Sequence, residues 1–175
     1  MITPKPISRE FFVRDVKKVA RELLGAYLCI RRNDDSIMRS IINETEAYDG
    51  EQDLACHASK GKTTRTSVMY QKGGVWYVYL CYGMHWMLNA VAGEKGYPAA
   101  VLVRGTKDFE GPGRLTKGFG ANGSFNGKNI HPKDLLWIEE SREKPQEIFT
   151  GARIGVDYAG QEWSQKPYRF WFSNC

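Results

Sequence analysis

The chain begins with one amphipathic helix and changes, near residue 26, to the short apolar runs that are typical of β-strands. Asp15 can cap this helix, apolar residues recur at helical spacing between Val16 and Leu24, and Gly25 ends it. The apolar runs predict strands at residues 26–32, 37–48, 75–81, 86–92, 99–104, 134–139 and 168–172. This order predicts an α+β fold with an N-terminal helix and a curved, mostly antiparallel sheet.

Two of the predicted strands flank an unusual turn. Tyr82, Gly83, Met84 and His85 follow residues 75–81, which predicts a protruding β-hairpin with large apolar side chains at its tip. Such side chains gain nothing from contact with water, so they indicate a wedge that enters another molecule. The alternative is a tip that folds back onto the core of the protein itself.

The length and the cysteines predict a single domain without a metal. A chain of 175 residues is long enough to bury one core, and we expect one domain over residues 1–175. Cys29, Cys56, Cys81 and Cys175 lack metal-binding spacing, so we expect neither a metal nor another cofactor. No apolar run approaches the ~18 residues of a membrane span, and the N-terminus lacks a signal-peptide pattern. We therefore expect a cytoplasmic monomer, associated with the nucleoid if the source is bacterial.

Residues 105–127 are rich in Gly, Lys and Arg and lack hydrophobic periodicity, which predicts a surface loop. Residues 118–123 match the pattern G-x-G-x-x-G. Because no strong strand precedes this pattern and no amphipathic helix follows it, a flexible loop is favoured over a dinucleotide site.

The charge of the chain favours an anionic partner. The net charge is +5 and the isoelectric point is near 9.0, which by itself supports only non-specific attraction. Basic residues that could contact the phosphates of an anionic partner are Lys60, Lys62, Arg65, Lys107, Arg114, Lys117 and Lys128.

Glu46 and Tyr48 lie at the end of an apolar run and share one face of the predicted strand. A carboxylate beside an aromatic ring suits a pocket in which a planar group stacks while a base acts next to it. On this stretch alone, a solvated edge strand is the favoured interpretation. His57, Asn89 and Arg104 are further polar candidates, and each alone is more often structural than functional.

Several motifs together resemble the alkyladenine (3-methyladenine) DNA glycosylase family. They are residues 43–48 (NETEAY), 53–57 (DLACH), 77–84 (YVYLCYGM) with Asn89, 101–104 (VLVR), 111–115 (GPGRL), 152–155 (ARIG) and 166–170 (KPYRF). Their order and spacing agree with the family from about residue 7 onward, so chance is a poor explanation. The segment between Arg104 and Gly111 is shorter than in the family, which usually carries a helix-length insertion there.

The resemblance implies catalytic roles for two charged residues. Glu46 is implied as the general base that takes a proton from a water behind the sugar C1′. Arg104 is implied to share that water and to keep Glu46 ionised, because a nearby positive charge lowers the pKa of a carboxyl group. The backbone carbonyl of Ile154 is implied as a third contact to the water.

The resemblance also implies a pocket for a flipped base. The base would lie between Tyr48 on one face and His57 with Tyr79 on the other, where cationic alkylated purines gain from cation–π attraction. Asn89 is implied as a gate that excludes the guanine amino group.

The function implied by the resemblance is a DNA glycosylase that removes alkylated or deaminated purines from double-stranded DNA by water attack. Tyr82, with Met84 beside it, would fill the gap left in the duplex. Two alternatives stay open: a non-catalytic module that binds damaged DNA with the same pocket, and an enzyme that acts on free nucleosides. The intact Glu46 and Arg104 disfavour the first, and the wedge disfavours the second, because a free nucleoside leaves no gap.

Overall fold

The computed structural model describes residues 4–141 and 144–173, and an antiparallel sheet of eight strands is its framework. The strands are β1 (Tyr27–Arg31), β2 (Ile37–Asp49), β3 (Trp76–Cys81), β4 (His85–Ala92), β5 (Ala99–Thr106), β6 (Leu136–Glu139), β7 (Phe149–Gly151) and β8 (Arg169–Trp171). Their main order is β3-β4-β5-β2-β1-β6, and β8 pairs with both β2 and β7. The long strand β2 therefore joins both parts of the sheet.

Four α-helices accompany the sheet in the described residues, namely α1 (Arg9–Phe12), α2 (Val16–Glu22), α3 (Pro112–Phe119) and α4 (Gly160–Ser164). The predicted N-terminal helix is α2. The Asp15 carboxylate accepts the backbone N–H groups of Lys17 and Lys18, and Gly25 has a φ of 86°. The α+β class is confirmed, although the sequence predicted only one of these helices. Within residues 4–141 and 144–173, no helix is long and apolar enough to cross a membrane.

The prediction of a surface loop over residues 105–127 is wrong, because its centre is α3. The helix packs on β4 and β5 and buries Leu115, Thr116 and Phe119. The glycines of α3 made a loop the favoured prediction from the sequence. Packing nevertheless requires Gly118, because a β-carbon there would collide with the ring of Phe109. The G-x-G-x-x-G pattern closes this helix, with Gly120 in the left-handed conformation at its C-cap.

The strands divide buried side chains between two faces of the sheet. Trp76 and Val78 of β3 belong to the main core, together with the buried sides of α2 and α3. Tyr77 belongs to a second cluster on the opposite face, because neighbouring residues on a strand point to opposite sides. Tyr48 and Tyr79 pack against this second cluster, so the structure places the sequence-predicted aromatic residues on one face.

Candidate active site

Glu46 is a fully buried carboxylate near the middle of the sheet. Its Oε1 accepts the backbone N–H of Ile154 at 2.9 Å, and its Oε2 accepts the Tyr48 hydroxyl at 2.8 Å. The predicted shared face of Glu46 and Tyr48 is therefore confirmed. The structure also brings residues 152–155 to Glu46 from a part of the chain more than a hundred positions away.

Arg104 lies between two carboxylates. Its Nε is 2.9 Å from Glu44 Oε1 and 3.7 Å from Glu46 Oε1, so its shorter ion pair is with Glu44. Arg169 of β8 also binds Glu44 Oε1, at 2.6 Å. Glu44 thus holds both arginines beside Glu46, a role that the sequence did not indicate because Glu44 appeared only as a neighbour in the same motif.

The pKa of Glu46 lies above its ordinary value. Burial raises the pKa most, because the charged form loses its hydration. The Ile154 N–H, the charge of Arg104 and the Tyr48 hydroxyl each lower it in part, and the charge of Glu44 raises it again. Arg104 therefore acts in the expected direction but does not outweigh burial.

Three aromatic side chains from separate segments pack in one cluster, and one of them, Tyr48, is hydrogen-bonded to Glu46. The rings of His57 and Tyr79 have centroids 4.5 Å apart at an interplanar angle of 62°, and Tyr48 packs against the same cluster. His57 Nδ1 lies 3.0 Å from the hydroxyl of Tyr77. Burial, and then the charges of Arg65 and Lys60, lower the pKa of His57 to about 4, so the imidazole is neutral at physiological pH.

Asn89 lies on β4 directly opposite Tyr77 of β3 and is buried. Its side-chain Nδ2 donates to the backbone carbonyls of Tyr77 at 3.1 Å and Met87 at 3.3 Å. These bonds fix the amide at the edge of the aromatic cluster.

The hairpin between β3 and β4 carries exposed apolar side chains at its tip. Tyr82 is 90% exposed and Met84 is 71% exposed, so the tip does not fold back onto the core. Tyr82 and Gly83 both have positive φ, and the N–H of Met84 donates to the carbonyl of Cys81, which closes a β-turn within the three-residue loop between β3 and β4. The predicted protruding hairpin is confirmed.

A buried ion pair next to Tyr48 is a feature that the sequence analysis did not indicate. Arg153 binds Asp53 through two bonds of 2.5 and 2.8 Å and donates to the carbonyl of Ala47. Its guanidinium also lies 4.8 Å from the Tyr48 ring centroid. Arg153 thereby connects the segment of Ile154 to the strand of Glu46. Both charged residues occur in the family motifs. No local sequence pattern, however, indicates that two residues 100 positions apart form an ion pair.

The basic residues proposed for phosphate contact are all exposed. Arg114 and Lys117 lie on α3, Lys60 ends a 3-10 helix (His57–Lys60), and the others lie on connecting segments. The guanidinium of Arg65 lies over the Tyr79 ring at 5.0 Å, and Lys62 Nζ lies over the Tyr70 ring at 5.5 Å. Across the described residues, His, Cys, Asp and Glu side chains form no group of three or more that could hold a metal ion.

Comparison with known proteins gives a consistent match over almost the whole chain. The family model described as methylpurine-DNA glycosylase (MPG) matches residues 10–110 and 105–175. A protein of Myxococcus xanthus is 43% identical over 175 residues, covering 94% of this chain and 89% of that protein. A protein of Anaeromyxobacter sp. is 40% identical (94% and 87%), and one of Psychrobacter cryohalolentis is 39% identical (90% and 88%). All three are named as 3-methyladenine DNA glycosylases. The chain therefore belongs to the methylpurine-DNA glycosylase family and is a hydrolase of N-glycosyl bonds.

Proposed function

We propose that this protein flips alkylated or deaminated purines out of double-stranded DNA and releases them as free bases, leaving an abasic site. The observation that carries the proposal is the buried Glu46 beside an aromatic cluster, with an exposed apolar tip on the hairpin that supplies Tyr79. A stacked nucleotide is unreachable for such a buried group, so extrusion must precede cleavage. The pocket and the tip would then serve one reaction.

Glu46 would act as the general base for a water that attacks C1′. The C1′–N bond breaks with its electron pair going to the base, the water oxygen bonds to C1′, and the water proton goes to Glu46. Ile154 N–H and the Tyr48 hydroxyl occupy one position on each carboxylate oxygen, and each oxygen keeps a further lone pair for the water. The nearby Arg104 and the carbonyl of Ile154 are the proposed further contacts to that water.

The flipped base would stack between Tyr48 and the wall formed by His57 and Tyr79. Each aromatic contact of this kind contributes about 1 to 3 kcal/mol to binding. The neutral imidazole of His57 supports this assignment, because a neutral ring can accept a hydrogen bond or stack without repelling a cationic base. Asn89, fixed at the edge of the cluster, would exclude the guanine amino group.

Outside the pocket, the hairpin tip and the basic surface would hold the duplex. Tyr82 and Met84 would enter the space that the flipped nucleotide leaves, which recovers part of the unstacking energy. Lys60, Lys62, Arg65, Arg114 and Lys117 would contact phosphates.

The variant Glu46→Gln tests the proposed general base. We expect base release from alkylated duplex DNA to be lost while lesion binding stays near that of the parent, because the amide keeps the shape but accepts no proton. Released base and abasic sites are measured in single-turnover reactions, and binding is measured by titration of the same duplex.

The matched control is Glu94→Gln, which removes an exposed carboxylate near the far end of β4 from the hairpin tip. It should leave base release unchanged. Turnover of Glu46→Gln within a few fold of the parent would refute the general-base role. A parent that binds lesions but releases no base would favour the non-catalytic alternative.

A further inference from the structure

Arg65 places a positive charge on an aromatic wall of the base pocket. Its guanidinium carbon is 5.0 Å from the centroid of the Tyr79 ring, and its side chain is exposed. The Tyr79 ring in turn lies 4.5 Å from the ring of His57. A cation over an aromatic ring already uses part of the quadrupole attraction that the ring would offer to a cationic base.

The charge of Arg65 also lacks the neutralising partner that other arginines near the pocket have. Arg104, Arg153 and Arg169 each have a carboxylate oxygen within 2.9 Å. Among the described residues, no carboxylate lies within ion-pair distance of Arg65. Arg65 therefore adds, beside the Tyr79 ring, a positive charge that no carboxylate of the described residues neutralises.

His57 responds to the same electrostatic field. Burial has the largest effect on its pKa, and the charges of Arg65 and Lys60 lower the pKa further, to about 4. A field that disfavours the protonated imidazole also disfavours any other cation at the same wall.

We propose that Arg65 is a specificity-determining residue that reduces the preference of the pocket for cationic over neutral bases. The inference rests on the proposed function, because it requires a base stacked against the Tyr79 wall. A 3-methylated adenine is positively charged while it is attached to deoxyribose and becomes neutral when the electron pair of the C1′–N bond goes to the base. Arg65 therefore weakens binding of the charged nucleotide more than binding of an uncharged base of the same shape.

The test compares two duplexes of identical sequence. One carries 3-methyladenine, which is cationic, and the other carries 3-deaza-3-methyladenine, which is neutral and nearly the same shape. Both Kd values are measured with Glu46→Gln protein, which holds the first duplex uncleaved. Adding Arg65→Ala should lower the ratio of the cationic to the neutral Kd by about twofold to fivefold, the strength of a cation–π contact at an exposed site.

Two further variants separate base selectivity from phosphate contact. Arg65→Lys keeps the charge and should keep the ratio near that of the parent. Lys62→Ala removes an exposed cation over Tyr70 and should raise the Kd values of both duplexes by the same factor. If Arg65→Ala also changes both Kd values equally, Arg65 is a phosphate contact only and the inference is overturned. Base release by the parent, measured separately, reports on the proposed function.

Discussion

At the scale of single residues, Glu46, the proposed general base, combines two requirements that oppose each other. A general base must be ionised, yet full burial favours the protonated carboxyl group. The Ile154 N–H and Arg104 reduce this conflict without removing it. A pKa closer to the working pH makes a carboxylate a better proton acceptor, so the residual shift suits the proposed role.

The raised pKa of Glu46 leads to a prediction for the pH dependence of base release. Because Glu46 must be ionised and its pKa is raised, the rate should fall on the acid side with a midpoint above the ordinary value of 4.5. His57, whose pKa is lowered to about 4, is mostly neutral above pH 5 and becomes protonated only at the acid end of the profile. Arg104→Gln should move the midpoint upward, because the charge of Arg104 lowers the pKa of Glu46. Single-turnover rates between pH 4 and 8, corrected for spontaneous base loss, give the midpoint, and a midpoint below 4.5 would contradict the assignment.

Asn89 gives a second prediction at this scale. Asn89→Ser should raise release of guanine by about 10-fold to 100-fold, the range for loss of one discriminating contact in a pocket. Release of alkylated adenine should change little, because only the amide at the edge of the pocket is lost. Release of guanine and release of alkylated adenine are measured on matched duplexes, and thermal unfolding of the variant is measured alongside. Loss of adenine release without any gain on guanine would show that Asn89 supports the hairpin through Tyr77 and Met87.

At the scale of elements, the β3–β4 hairpin links the proposed base pocket to the surface. Strand β3 carries Tyr79, a residue of the proposed pocket, and leads to the exposed Tyr82 at the turn. An antiparallel pair in regular register holds the turn in place, so the tip can resist the stacked bases that it would separate.

Tyr82→Ala tests whether this tip holds the duplex open. It should weaken binding to lesion-containing duplex by about 1 to 3 kcal/mol, the value of one stacking contact. Base release from single-stranded or mismatched DNA should suffer much less, because extrusion there is less costly. Single-turnover rates on paired and unpaired substrates are compared. Equal losses on both would mean that Tyr82 supports the fold or the pocket instead.

At the scale of the whole molecule, the excess of positive charge should appear as salt-dependent DNA binding. If the five proposed phosphate contacts all form, log K should fall against log salt with a slope of about −4 to −5. The affinity for unmodified duplex is measured by titration at several salt concentrations. A flat response would contradict the proposed DNA surface.

Single charge removals refine the salt test. Lys117→Ala on α3 should reduce the slope by about 1, since each phosphate contact contributes about 0.9. Lys95→Ala, in the turn between β4 and β5, is the control and should leave the slope unchanged.

The features that could be predicted from the sequence are short-range ones. The helical spacing around Val19, the alternation along β2 that places Glu46 and Tyr48 on one face, and the apolar turn at Tyr82 are all short-range patterns, and the structure has each of them. The wrong loop prediction over residues 105–127 also had a local origin. Gly113 packs closely against His85 and Gly118 against Phe109, and these contacts could not be known before the fold was known.

The pairing of charged side chains, by contrast, depends on how the chain folds. Glu44 between Arg104 and Arg169, the buried pair of Asp53 and Arg153, and the unneutralised Arg65 all depend on contacts between distant parts of the chain. Neither strand alternation nor helical spacing encodes such pairings, because the energy of an ion pair depends on distance and burial in the folded state. The sequence therefore indicated the residues of the candidate site, and the fold determined their electrostatic environment.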